Sequence, residues 1–173
     1  MQYRISKWIA ATAITASLMF GFITPADADT ATAVRAVQTT NEVIAATGTT
    51  DVIPAAQTGH DADSAVIAKV DGSTVDVPKD PSNHVTVTTR TGEQIGIGIP
   101  NGDTAHDART TASGTTVYTD PASGTATAVQ ATTSGVRVLF ALSNRQSTDT
   151  FVIPVKVPSG FKLGMDRTGL LKS

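Results

Sequence analysis

Residues 136–157 read VRVLFALSNRQSTDTFVIPVKV. This is the densest apolar stretch after the N-terminus. It holds Phe140 and Phe151, and Tyr118 and Phe161, the other aromatics beyond residue 28, flank it. Side chains alternate between the two faces of a strand. Val136, Val138, Phe140 and Leu142 therefore share one face of a first strand, and Phe151, Ile153, Val155 and Val157 share one face of a second. Antiparallel pairing joins these faces only when an even-numbered residue opposes an odd-numbered one. Leu142 opposite Phe151 meets that condition and leaves residues 143–150 as a polar loop. The stretch thus reads as a β-hairpin at the centre of the core. Pro154 has no N–H to give to a ladder, so its strand is expected at an edge or a bulge. A hairpin alone is marginal in water, so a second layer must cover it.

Further hairpins lie upstream. Asp71-Gly72 separates residues 65–70 from 73–77, and Asp-Gly is a strong two-residue turn. That turn opposes Val70 with Ser73, Ala68 with Val75 and Val66 with Val77, which puts the apolar partners on one face. Ile67 and Asp76 fall on the other face with Lys69 and Thr74. A second hairpin runs from Val85 and Val87, through the loop 90–94, to Ile95, Ile97 and Ile99. Its expected register opposes Thr89 with Ile95, Val87 with Ile97 and Val85 with Ile99. Gly96 and Gly98 land on the outer face, where a missing side chain marks a bulge or a close backbone approach. Strands are also expected at residues 115–119, 125–132 and 161–163, with turns at 120–124 and 133–135. About seven or eight short strands spaced by turns predict an all-β fold, an antiparallel sandwich or open barrel.

The first 28 residues read as an address. Arg4 and Lys7 precede the apolar run 8–23, Pro25 breaks it, and Ala26-Asp27-Ala28 fits a small-x-small cleavage site. This is the pattern of a signal helix cleaved after Ala28. The run is short for a membrane span. The chain has no cysteine, so neither lipidation at a cysteine nor a disulfide is available. Residues 29–64 read as a Thr/Ala-rich spacer: residues 29–48 suit a short helix or a flexible segment equally, and 49–64 read as linker. The expected organisation is a signal peptide (1–28), a spacer (29–64), a β domain (65–163) and a tail (164–173). The expected location is secreted, extracellular or loosely wall-associated, with no stable membrane anchor after cleavage.

The residue inventory is poor in chemistry. Removing Arg4, Lys7 and Asp27 from 13 basic and 15 acidic residues leaves 11 and 14, a net charge of −3. That is not the basic footprint of a nucleic-acid partner. The three histidines, His60, His84 and His106, lack a spacing that would place two zinc ligands on one element. The loop at Asn101-Gly-Asp103 lacks the regular ligand spacing of a calcium loop. The run 96–100 ends in a turn rather than a helix N-terminus, so it is no phosphate cradle. Ser113-Gly and Ser123-Gly are turn pairs outside any G-x-S-x-G. Beyond residue 28 only Glu42 and Glu93 are glutamates, and polar sequence surrounds both. No catalytic, cofactor-binding or metal-binding residue is nominated, no cofactor is expected, and the chain is not expected to be an enzyme.

The segments 71–78 (DGSTVDVP), 94–100 (QIGIGIP) and 152–160 (VIPVKVPSG) resemble a group of actinobacterial secreted proteins of unknown function over residues 65–163. In that group a P-L-x-L-P-x-G type strand follows a V-R-V-L strand, a slot filled here by residues 154–160. The resemblance implies a β-rich N-terminal part, with further strands in longer members, and no catalytic role. It leaves two expectations for this chain: a stand-alone non-catalytic module contacting a wall or protein surface, or the N-terminal region of a longer secreted protein. An uncharacterised hydrolase ranks behind both. An unpaired edge near residues 161–163 would favour self-association.

Overall fold

The computed structural model describes residues 38, 51–106, 108–142, 150–162, 164–165 and 171–172. The signal segment, nearly all of the spacer before residue 51 and the loop 143–149 lie outside them, so the expectations placed there stand as sequence readings. Within the description the protein is all-β, with two antiparallel sheets and no closed barrel. The strands are β1 (Ser64–Val70), β2 (Ser73–Pro78), β3 (His84–Thr88), β4 (Gln94–Gly98), β5 (Arg109–Thr110), β6 (Thr115–Asp120), β7 (Thr125–Thr132), β8 (Gly135–Leu142), β9 (Val155–Lys156), β10 (Gly164–Met165) and β11 (Leu171–Lys172). One sheet has five strands in the order β1-β2-β3-β4-β9 and the other has four in the order β5-β6-β7-β8. β10 and β11 pair with each other.

The β1–β2 hairpin has the register that its turn demands: Val70 opposes Ser73, Ala68 opposes Val75 and Val66 opposes Val77. Asp71 and Gly72 have φ of 48° and 82°. Positive φ at both central residues is the geometry whose twist suits a two-residue hairpin. The β3–β4 hairpin keeps the expected faces but not the expected partners. Val87 opposes Ile95 and Val85 opposes Ile97. The loop closes two residues early, because Thr89 N donates to Glu93 O at 2.9 Å. Glu93 also accepts from the hydroxyls of Thr89 and Thr91. The displacement totals two positions, so every side chain stays on its face.

Residues 136–157 do not form a hairpin. β8 pairs with β7 along its whole length, from Thr132↔Gly135 to Thr125↔Leu142. β9 pairs with β4 in the other sheet, Gly96 opposing Lys156 and Ile97 opposing Val155. The chain leaves one layer and enters the other between them. Phe140 and Phe151 still meet, stacked with centroids 4.1 Å apart and planes 9° off parallel. The aromatic contact therefore needs no ladder between the two runs. Nor does this stretch form the centre of the core, because β8 is only half-buried. The core lies between the sheets, in Val66, Ala68, Val70, Val75, Val77, Val85 and Ile99 from one layer and Tyr118, Val129 and Ala131 from the other. Tyr118 hydroxyl donates to Pro78 O at 2.5 Å and ties the layers together. Phe161 and Lys162, expected in a strand, are outside one.

Residues 51–59, expected as linker, lie against both sheets. Val52 pairs with Thr132 and Gly59 with Ile67. Ile53 N donates to Ala131 O at 2.9 Å and Thr133 N to Asp51 O at 2.9 Å. β6 pairs only as far along β7 as Gln130. The backbone of Ala131 and Thr132 would lack a partner on that side, and residues 51–53 supply one.

Candidate functional site

The residues scanned for chemistry are dispersed. His60 and His106 are exposed in loops, and His84 is half-buried at the start of β3. Among the described residues no group of three or more His, Cys, Asp or Glu side chains lies close enough to hold a metal ion. Ser123 Oγ donates to Asp120 Oδ2 at 2.6 Å. Asn101 Nδ2 donates to the same oxygen at 3.0 Å. Asp120 thus closes the β6–β7 turn and pins the 101–105 loop. Ser113 Oγ pairs with Thr111 Oγ1 at 2.9 Å in another turn. Asp61 accepts from the backbone N–H of Ser64 and of Asp63, which holds its carboxyl below the usual carboxylate range. Asp61, Ser113, Asp120 and Ser123 thus each have a local structural partner.

A polar line crosses the outer side of the four-stranded sheet. Thr115, Gln130 and Arg137 are aligned by the β6–β7 and β7–β8 registers. Gln130 Nε2 donates to Thr115 Oγ1 at 2.9 Å. Arg137 donates to Gln130 Oε1 at 3.3 Å and grips Asp51 with Nη2 at 2.9 and 2.8 Å from the two carboxylate oxygens. Gln130 is fully buried. A buried amide needs such partners, because an unmet polar group costs about 1–3 kcal/mol. This line fixes residues 51–53 in place.

The outer side of the five-stranded sheet is different. It carries Lys69, Thr74, Asp76, His84, Thr86, Thr88, Gln94, Gly96, Gly98 and Lys156, in rows set by the registers. One row runs Asp76, Thr86, Gly96, Lys156. Around Gly96 the face sinks into a notch of about 360 Å³ lined by Asn83, His84, Thr86, Gln94, Gly96 and Lys156. Gly96 creates it: a Cβ there would lie 3.3 Å from Lys156 Cβ and 3.4 Å from His84 Cβ and Cδ2. At Gly98 a Cβ would lie 2.8 Å from Pro154 Cδ, so the Pro154 ring occupies the missing side chain's place. This is the close approach expected of the outer-face glycines. Pro154 O accepts from Gly98 N at 2.7 Å, and its missing N–H sits at the sheet's edge.

Within the notch, His84 Nε2 is buried without a hydrogen-bond partner. Lys156 is exposed and forms no ion pair among the described residues. The lining thus offers an ammonium, an imidazole, two amides and a hydroxyl, and no carboxylate. Sequence reasoning marked Gly96 and weighed His84 as a zinc ligand, but it did not join either to Lys156, because Lys156 and His84 are 72 positions apart and share no local pattern.

A second concavity, about 500 Å³, opens between the layers at the end of the sandwich. Val70, Val75 and Val87 form its floor, and Arg90 and the 133–135 turn its rim. Arg90 is already engaged, donating to Asp71 O at 2.5 Å and pairing with the Asp71 carboxylate at 2.7 Å. No protein-family model, no curated protein and no solved structure matches this chain.

Proposed function

We propose that the protein is an exported, non-catalytic β-sandwich module that acts by surface contact at the cell envelope or outside it. The observation that carries this reading is the outer side of the five-stranded sheet. It is a broad polar surface of threonines, amides and charges, built on strands whose inward side chains Val66, Val75, Val77 and Val85 are buried. A surface on packed strands keeps its geometry, which suits it to recognition. The export pattern in residues 1–28 supports the location.

Two measurements test this. Mass spectrometry of the protein recovered from culture medium should give a chain beginning at Asp29. Sedimentation with purified wall material should retain the protein, and Thr74→Glu with Thr88→Glu should release it. Retention that ignores both substitutions, or turnover of the wall polymer, would overturn the reading.

A further inference from the structure

The notch over Gly96 combines three features that the fold itself does not use. It has a buried ring nitrogen without a partner, His84 Nε2. It has a cation without an ion pair among the described residues, Lys156. It has a bare glycine between them, where an added Cβ would press against Lys156 Cβ at 3.3 Å and His84 Cβ and Cδ2 at 3.4 Å. Buried polar atoms are nearly always paired, so an orphan points to a missing partner. The amide of Asn83 adds a further donor to the same wall; Gln94 Nε2 and the Thr86 hydroxyl also line it, each holding a long bond of its own, to Thr88 Oγ1 at 3.5 Å and to His84 O at 3.4 Å. No carboxylate lines the notch among the described residues; in the same row Asp76 lies two strands from Gly96, about 10 Å away at ordinary strand spacing, and the Asp80 carboxylate is engaged by Ser82 N in the turn before Asn83.

We propose that this notch binds a small oxyanion, the carboxylate or phosphate-ester group of a larger molecule. Lys156 Nζ and His84 Nε2 donate to it from either side, and the Gly96 backbone forms the floor. A lining with donors and no carboxylate selects an anion over a cation or a neutral sugar. The volume, about 360 Å³, admits the ionised group together with the part of the molecule that bears it. Lys156 is exposed and rotamer-rich, so its ammonium can turn toward a group seated over Gly96. The inference deepens the surface-contact reading and rests on it only for the identity of the molecule carrying the anion.

The test is a titration of the ¹⁵N-labelled protein with inorganic phosphate and, separately, with acetate, at ionic strength held constant with chloride. The reading is the imidazole signals of the three histidines. The expected result is a saturable shift of the His84 signals alone, with a dissociation constant on the order of 1 mM. Lys156→Ala should weaken binding at least about tenfold, as loss of a charge-assisted contact does. Because Lys156 is exposed, that variant should keep the remaining amide spectrum. Gly96→Val, which fills the floor, should abolish the shift. A response to phosphate alone assigns a phosphate ester, a response to acetate alone assigns a carboxylate, and both assign oxyanions generally. Absence of a saturable shift with either anion overturns the proposal. So do equal shifts at His60 and His106, or binding undiminished in Lys156→Ala. Wall retention lost while anion binding persists would remove the surface reading and leave the notch standing.

Discussion

The two sheets of this sandwich solve burial differently. In the five-stranded sheet, β1 alternates between buried and more exposed positions, with valines inward and polar or half-covered residues outward. In the four-stranded sheet, every residue of β6 and β7 is buried. Its outer side holds Val117, Ala126 and Ala128, with Leu139 and Ala141 packed against them. One layer therefore presents a largely polar face to its surroundings, whereas the middle strands of the other, β6 and β7, are closed on both sides. The same two-residue period thus yields a largely polar outer face in one layer and a second small core in the other.

Substitution separates the two most sharply at the outer positions. Ala128→Lys places a charge at a site 1% exposed, and an uncompensated buried charge should cost about 3–5 kcal/mol. Thr88→Lys, at the matching side of the other sheet, should stay within about 0.5 kcal/mol. Urea midpoints at unchanged slope measure both. A mild Ala128→Lys would mean that the outer side of β6–β7 is open in solution, and the contrast would collapse. Next in size is Arg137→Ala, which strips Gln130 Oε1 and Asp51 of their donor. The pair is about one-third exposed, so the expected loss is discounted to about 1–3 kcal/mol. Arg137→Lys should fall between, since lysine lacks the two-pronged grip.

Gly98→Ala should cost about 1–2 kcal/mol by forcing the Pro154 ring aside. Gly96→Ala should cost less, because its nearest neighbours stand at 3.3–3.4 Å. Tyr118→Phe should cost about 1 kcal/mol for the lost bond to Pro78 O. Its effect also depends on pH. Burial, and then the Asp76 carboxylate, push the Tyr118 phenol far above its ordinary value of 10.0. The folded chain keeps this proton where the unfolded chain has lost it. The associated stability is intact below about pH 10 and falls as pH rises above it. The wild-type and Tyr118→Phe stabilities should therefore converge in alkali. No tryptophan and no other tyrosine follows residue 28, so in a chain prepared from residue 29 onward tyrosinate absorbance reports on this residue.

The same contrast governs what could be read from sequence. β1 and β2 were legible to the register because alternation and an Asp-Gly turn agreed. β3 and β4 were legible to the face but not the partner, since side chains of Thr89, Thr91 and Glu93 set where the loop closes. In β6 and β7, threonine and alanine occupy both faces, so no apolar rhythm marks strands that supply Tyr118, Val129 and Ala131 to the core. Residues 136–157 misled because consecutive strands usually pair. Here the pairing partners are β7 and β4, and the two runs meet through the stacked rings of Phe140 and Phe151 rather than through a ladder. The backbone role of residues 51–53 was hidden as well, because a missing partner at Ala131 and Thr132 has no signature in side chains. The notch was legible only as two glycines.

The short pairing of β9 with β4 has a kinetic meaning. The β1–β2 turn closes over two residues, whereas Gly96 and Lys156 lie 60 positions apart. Loop closure over such a span is slower than local hairpin formation. With only two residues in its ladder, β9 should seat late and fray early. Lys156 faces His84 across Gly96 only once that strand has docked. A ligand bound between them would act as a clasp on the edge, lengthening the time that the last strand stays closed.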